Sequence, residues 1–165
     1  RSSVNHKTGH TDDERIQETT VLPPPEHLIR FFPIHATAVE TLVAQIEQNS
    51  AGRVQAYTER LYTRLKELLE DRNIDDARIV TEAAIFADKT AIDEETVRLH
   101  SHVAQYRSIL ELDEPVGRKL DFLTQELNRE TNTIGSKCQD LDITRIVVDM
   151  KAEIEKIREQ IQNLE

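Results

Sequence analysis

Apolar residues recur at helical spacing along most of this 165-residue chain, and the N-terminal stretch is the exception. Polar residues dominate from Arg1 to Thr20, and Pro23-Pro24-Pro25 blocks helix and central strand alike. Val21-Leu22 and the run Leu28 to Phe32 are short apolar pieces without a period. Residues 1–35 are therefore expected to be a tail, a linker or a domain remnant. A period appears near Ala36. Val39, Leu42, Val43 and Ile46 make one stripe, Gly52 punctuates it, and Val54, Tyr57, Leu61, Leu65 and Leu68 continue at steps of three and four. A break is expected at Asp71-Arg72-Asn73. From Asp75 to Asp88 the apolar residues lie on two sides, Ile79, Ala83 and Phe86 on one and Val80, Ala84 and Ala87 on the other. That two-sided pattern predicts a well-buried helix. Asp93 is the expected N-cap of a helix from Glu94 to about Leu112, with Leu99, Val103, Tyr106 and Leu110 as its apolar stripe. Glu95, Arg98, His102 and Gln105 form a separate polar stripe at the same spacing.

Two further helices follow Pro115 and Gly117. Between Val116 and Lys137, Leu120, Leu123, Leu127, Thr131 and Ile134 fall on one side of the wheel. The opposite side holds Arg118, Phe122, Gln125, Arg129, Asn132 and Ser136, with Asp121, Glu126, Asn128 and Glu130 on the flanks. A solvated face usually alternates Glu and Lys, whereas this one gathers amides, guanidinium groups and a phenyl ring. Such groups suit phosphate oxygens, sugar hydroxyls and base edges, and equally a hydrogen-bonded contact between subunits. The last helix steps Ile143, Val147, Met150, Ile154, Ile157, Ile161, Leu164, an unbroken heptad seam that must be buried in this chain or against another. The predicted fold is mainly α: a helical bundle over 36–165 with a long C-terminal heptad helix.

Composition narrows this picture without naming a ligand. The formal charge is −10, from 21 basic and 31 acidic residues, which is not the usual footprint of a nucleic-acid binder. The stretch Arg98 to Lys137 is nonetheless neutral, with six charges of each sign, so a polyanion is permitted there. Cys138 is the only cysteine, which excludes an internal disulfide and fits a cytoplasmic location. No apolar run approaches a membrane span, and the start of the chain shows no signal-peptide pattern. The sequence opens on Arg1 rather than Met, so a fragment or a processed form of a longer chain is expected.

GRKLDFLTQELNRETNTIGSK, at 117–137, resembles the signature of the bacterial YicC/YloC family of endoribonucleases. The resemblance extends upstream through ARIVTEAAIFADKTAIDEETVRLHSHVAQY and downstream through VVDMKAEIEKIREQIQNLE, covering about Ala51 to Glu165. Members of that family carry a mixed α/β N-terminal domain, which is expected to be largely missing, since only Arg1 to Ser50 precede the matching part. The resemblance implies cleavage of single-stranded regions of RNA, assisted by a divalent metal, Mn²⁺ or Mg²⁺. It also implies a homo-oligomer, with a hexameric ring as the expected form.

Such cleavage can use the neighbouring 2′-hydroxyl with a general base and acid, or carboxylates that hold a metal ion. His102, on the Glu95–Arg98 stripe, is the leading proton carrier, with Glu126 and Glu95 as further catalytic candidates. It lies two positions from His100, so the two rings diverge on a helix. The acids of the family-like strings are Glu82, Asp88, Glu95, Asp121, Glu126 and Glu130. Of these, Glu82, Asp121, Glu126 and Glu130 are the candidate metal ligands, and Glu126 and Glu130 stand one turn apart. Arg98, Arg118, Arg129 and Lys137 are candidate phosphate contacts, with Gln125, Asn128 and Asn132 completing the RNA-binding face. Salt bridging to neighbouring acids is the competing role for the four cations. Two other functions fit the same pattern, a non-catalytic RNA-binding adaptor and a structural coiled-coil assembly protein.

Overall fold

The computed structural model describes residues 26–70, 73–138 and 140–164, with side chains from Arg30 onward. The expected tail up to Pro25 and the Asp71-Arg72 part of the expected break lie outside these residues. Among the described residues every regular element is a helix: α1 (Glu26–Ser50), α2 (Arg53–Leu69), α3 (Asp76–Thr90), α4 (Asp93–Leu110), α5 (Gly117–Lys137) and α6 (Leu141–Gln162).

Four of these helices close a bundle. α1 packs on α4 and α6, and α5 packs on the same two from the other side. Arg107 pairs with Glu40 and His100 with Glu47, so α4 runs antiparallel to α1. Arg98 pairs with Glu130 and Lys137 with Glu95, so α5 runs antiparallel to α4. α6 starts at Leu141, four positions after α5 ends at Lys137, and packs along both α5 and α1. The result is an up-down-up-down bundle, with the α2–α3 hairpin inserted between its first and second helices.

The core follows the stripes. Val39, Val43 and Ile46 of α1 meet Leu99, Val103 and Tyr106 of α4, Leu120, Leu123, Leu127 and Ile134 of α5, and the α6 seam. Each such side chain contributes about 1.5–3 kcal/mol by leaving water. Thr124 and Thr131 sit among the leucines because each hydroxyl donates to the carbonyl one turn back, at 2.7 Å. The α6 seam from Ile143 to Ile161 is buried within the chain, against α1 and α5, and Leu164 packs at its end. Gly135 permits the close approach of α5 and α6, since a Cβ there would stand 3.3 Å from a Val147 methyl. Asp140 caps α6 by accepting from the backbone N–H groups of Asp142 and Ile143.

The structure departs from the pattern in three places. α1 starts at Glu26, ahead of the first legible period, and Phe32 and Ala36 join the core. Pro33 lies inside this helix, and Thr37 donates to its carbonyl at 2.9 Å. Within the apolar run Leu28 to Phe32, Phe32 is buried and Phe31 partly buried, while Arg30 is exposed. Second, α4 opens on Asp93 itself: Ile92 occupies the capping position because its side chain is buried in the core, and Asp93 acts in the first turn beside Glu94 and Glu95. Third, α3 is not well buried. Ile79 is its one buried side chain, and Val80 and Ile85 are exposed. The helix packs chiefly on α2, which itself buries nothing fully, and the hairpin closes on Tyr57 and Phe86, whose rings stack at 3.9 Å. One partner cannot cover two faces. Gly52, in the left-handed region at φ 73°, breaks the chain between α1 and α2, so the two halves of what reads as one stripe serve different partners.

Candidate active site along the α4–α5 seam

Where α4 and α5 lie side by side, their flanking polar residues meet. His102 of α4 and Glu126 and Glu130 of α5 each present a ligand-type atom, and all three atoms lie within 4.8 Å of one another. Helical geometry places them there. Glu126 and Glu130 are one turn apart, and His102 is one turn beyond Arg98, whose Nε donates to Glu130 at 2.9 Å. His100 points the other way and pairs with Glu47 of α1, so the two histidines diverge as their spacing predicts.

The cluster is held in an ionic web. Arg129 reaches Glu126 at 3.0 Å and Glu130 at 3.4 Å. Arg98 also approaches Glu94 at 3.5 Å and Glu95 at 3.6 Å. Lys137 donates to Glu95 at 2.6 Å and to the Ala91 carbonyl at 3.1 Å. Glu130 and Glu95 are only 2% and 3% exposed, so each depends on these cations for its charge to be tolerated. Burial pushes the Glu95 carboxyl up, but the Lys137 hydrogen bond and the Lys137 and Arg98 charges outweigh it and hold the group below its ordinary range. The hydrogen bond to Glu130 raises the Arg98 guanidinium further above its ordinary value.

Against this web, two polar groups stand out. Both ring nitrogens of His102 are shielded from solvent and have no hydrogen-bond partner, and the same is true of the Tyr106 hydroxyl one turn on. Burial pushes the Tyr106 phenol up, so it stays neutral. An imidazole with two unpaired, shielded nitrogens beside two carboxylates is a costly arrangement unless the ring serves as a ligand or proton carrier. The donor set therefore fits a metal ion: two carboxylates and one imidazole, with a nitrogen lone pair free of any other partner.

Not every expected residue joins the site. Glu82 lies on α3 and pairs with Arg78, and Asp121 accepts from Gln125, so neither enters the three-residue cluster. Glu95 sits farther along the seam, bound to Lys137. Arg98 and Lys137, expected on phosphates, are engaged by buried carboxylates. Arg118, Gln125, Asn128, Arg129 and Asn132 are exposed along α5, with Phe122 61% exposed beside them. Arg118 has no carboxylate partner among the described residues. The wheel did not mark Glu94 or the Tyr106 hydroxyl. Glu94 shows the i,i+4 spacing to Arg98, and Tyr106 shows the same spacing to His102, so both signals were present in the sequence.

The fold and this seam define a class: an all-helical domain with a histidine–glutamate cluster sunk between two helices, opening toward a face of amides and guanidinium groups. Comparison with known proteins makes it specific. The family profile described as endoribonuclease YicC-like, C-terminal, matches residues 46–165, and the chain belongs to that family. It is 52% identical over 124 residues to a protein of Clostridioides difficile (strain 630) named probable endoribonuclease YicC, a match covering 74% of this chain and 42% of that protein. It is 41% identical over 132 residues to a protein of the same name from Haemophilus influenzae (strain ATCC 51907 / DSM 11121 / KW20 / Rd), covering 80% of this chain and 45% of the relative. The chain thus spans less than half the length of these two relatives. No helix among the described residues is long and apolar enough to cross a membrane.

Proposed function

We propose that this domain cleaves single-stranded regions of RNA, with the bond to be cut placed over the α4–α5 seam. The observation that carries the reading is the convergence of His102, Glu126 and Glu130 beside the exposed Arg118–Asn132 face. The names of the two relatives agree with it. The exposed face offers what a single strand presents: guanidinium groups for phosphates, amides for base edges, and the Phe122 ring for stacking. Glu126 is half-buried, placed to accept a proton from the attacking hydroxyl, and His102 to return one to the leaving oxygen. In the metal-assisted route His102, Glu126 and Glu130 would instead hold a divalent ion, their lone pairs engaged by it rather than by protons, and the imidazole suits Mn²⁺ better than Mg²⁺, which prefers oxygen ligands. Such an ion supplies Lewis acidity toward the phosphate. Glu95 acts at a distance, fixing Arg98 and Lys137.

The working form in this proposal is a ring of copies, with a hexamer as the expected number, acting in the cytoplasm. Turning the α5 faces inward would gather the neutral stretch into the lumen and leave the acidic surface outside. RNA binding would then fall only gently with salt, because few phosphates are neutralised per copy.

The test is RNA cleavage with Mn²⁺ and with EDTA, using His102→Ala and Glu126→Gln of matched stability. A rate loss of about 10²-fold or more is expected for each. Wild-type rates in both variants would remove the cluster from the chemistry. Binding without cleavage would leave an adaptor, and neither activity a scaffold. Light scattering gives the copy number.

A further inference from the structure

The web around the cluster has a charge balance that bears on the order in which its ligands arrive. Four carboxylates (Glu94, Glu95, Glu126, Glu130) face three cations (Arg98, Arg129, Lys137). A divalent ion at His102, Glu126 and Glu130 would turn that net charge from −1 to +1, and one phosphodiester would return it to zero. The two arginines occupy the carboxylates that the ion needs. Arg129 bridges Glu126 and Glu130, and Arg98 holds the same Glu130 oxygen. They differ in freedom. Arg98 spans Glu94, Glu95 and Glu130, whereas the Arg129 side chain is 66% exposed and sits among Gln125, Asn128 and Asn132.

We propose that Arg129 is an exchangeable stand-in for the metal: it neutralises Glu126 and Glu130 when the site is at rest, and swings to an RNA phosphate when the ion enters. This rests on the metal reading of the cluster given above. Ion and RNA then bind with positive coupling. The ion frees the arginine for the phosphate, and the phosphate removes the cation that competes with the ion. By linkage each raises the affinity of the other by the same factor, expected at about tenfold. The arrangement also discriminates. Metal alone must displace an arginine, and RNA alone must draw the arginine away from two carboxylates, so neither ligand binds well without the other.

The experiment titrates Mn²⁺ into the chain and follows the free ion by electron paramagnetic resonance, with and without a single-stranded 2′-O-methyl oligoribonucleotide, which lacks the attacking hydroxyl. Wild type should bind Mn²⁺ about tenfold more tightly when the oligonucleotide is present. Arg129→Gln should bind Mn²⁺ alone more tightly than wild type and lose most of the coupling. Arg129→Lys, which keeps the charge, should retain part of both. Glu126→Gln should bind Mn²⁺ weakly under either condition. If Arg129→Gln matches wild type in affinity and coupling while Glu126→Gln loses the ion, the stand-in role is overturned and the metal site survives. If Mn²⁺ does not bind, or binds regardless of Glu126, the metal reading falls and this inference falls with it.

Discussion

The bundle and the α2–α3 hairpin carry apolar stripes of similar regularity, yet they end in opposite circumstances. Val39, Val43 and Ile46 are sealed completely, whereas Val54 and Leu68, at the two ends of a stripe spaced by the same rule, remain exposed. The period of a stripe reports that a helix has a preferred side. It does not report how many neighbours that side will find. In the bundle every stripe faces two other helices, whereas in the hairpin each helix has one main partner, and the closure rests on the Tyr57–Phe86 stack.

That contrast can be broken most forcefully in the core. Ile154→Ala removes a buried side chain from the seam and should cost about 2–5 kcal/mol of unfolding free energy. Leu65→Ala, at a partly covered hairpin position, should cost less than about 1 kcal/mol. Urea titration followed by circular dichroism measures both, and equal costs would show that the hairpin is as tightly built as the bundle. Hydrogen exchange on wild type should agree, with α2 and α3 amides exchanging well before those of α5 and α6.

A finer comparison uses two similar caps in different settings. Asp140 caps α6, and Asp75 caps α3 by accepting from the N–H groups of Ala77 and Arg78. Asp140→Ala should lower global stability by about 1 kcal/mol, while Asp75→Ala should fray α3 locally and leave the global transition nearly in place. Exchange rates read against the urea midpoint separate the two. An equal shift of the midpoint would mean that the hairpin and bundle unfold as one unit.

The smallest effect is acid sensitivity, which should belong to the bundle. Glu95 and Glu153 are each pushed up by burial and pulled down further by their partners, Lys137 and His35 first among them, so both carboxyls lie below the ordinary range. A folded value below the unfolded one gives stability that is complete above about pH 4.3, the ordinary value for Glu, and is lost as pH falls through the lower folded value. Urea midpoints at pH 6 and pH 3 should therefore differ, and Glu95→Gln should shrink that difference. An unchanged difference in the variant would deny Glu95 its part.

Much of the bundle was legible in the sequence because its signals are local. The α5 leucine stripe and the face opposite it lie where the wheel puts them, and the heptad seam of α6 is buried as its spacing demands. The choice between partners for that seam was not legible, because aliphatic seams are interchangeable, and the structure settles it within the chain. The site was half legible. Glu126 and Glu130 are one turn apart on any helix, and His102 shares a stripe with Arg98. That these two helices lie antiparallel, bringing residue 102 to residues 126 and 130, is a long-range fact that no local period contains. The burial of Glu95 and Glu130 was hidden for the same reason, since their nearest cations, Lys137 and Arg98, come from across the seam.

The ion pairs across that seam have one more consequence. A stripe of similar aliphatic side chains is nearly self-similar under a slide of one helical turn, about 5.4 Å, so the leucines of α5 alone would tolerate several alignments on α4. The rungs Arg98–Glu130 and Lys137–Glu95 are not self-similar: a one-turn slide separates both at once and leaves buried carboxylates without partners. The apolar residues hold the two helices together, and the charged ones tell them where to stop. A single alignment of α5 on α4 is thereby written into the chain, and the meeting of His102 with Glu126 and Glu130 is a result of that alignment.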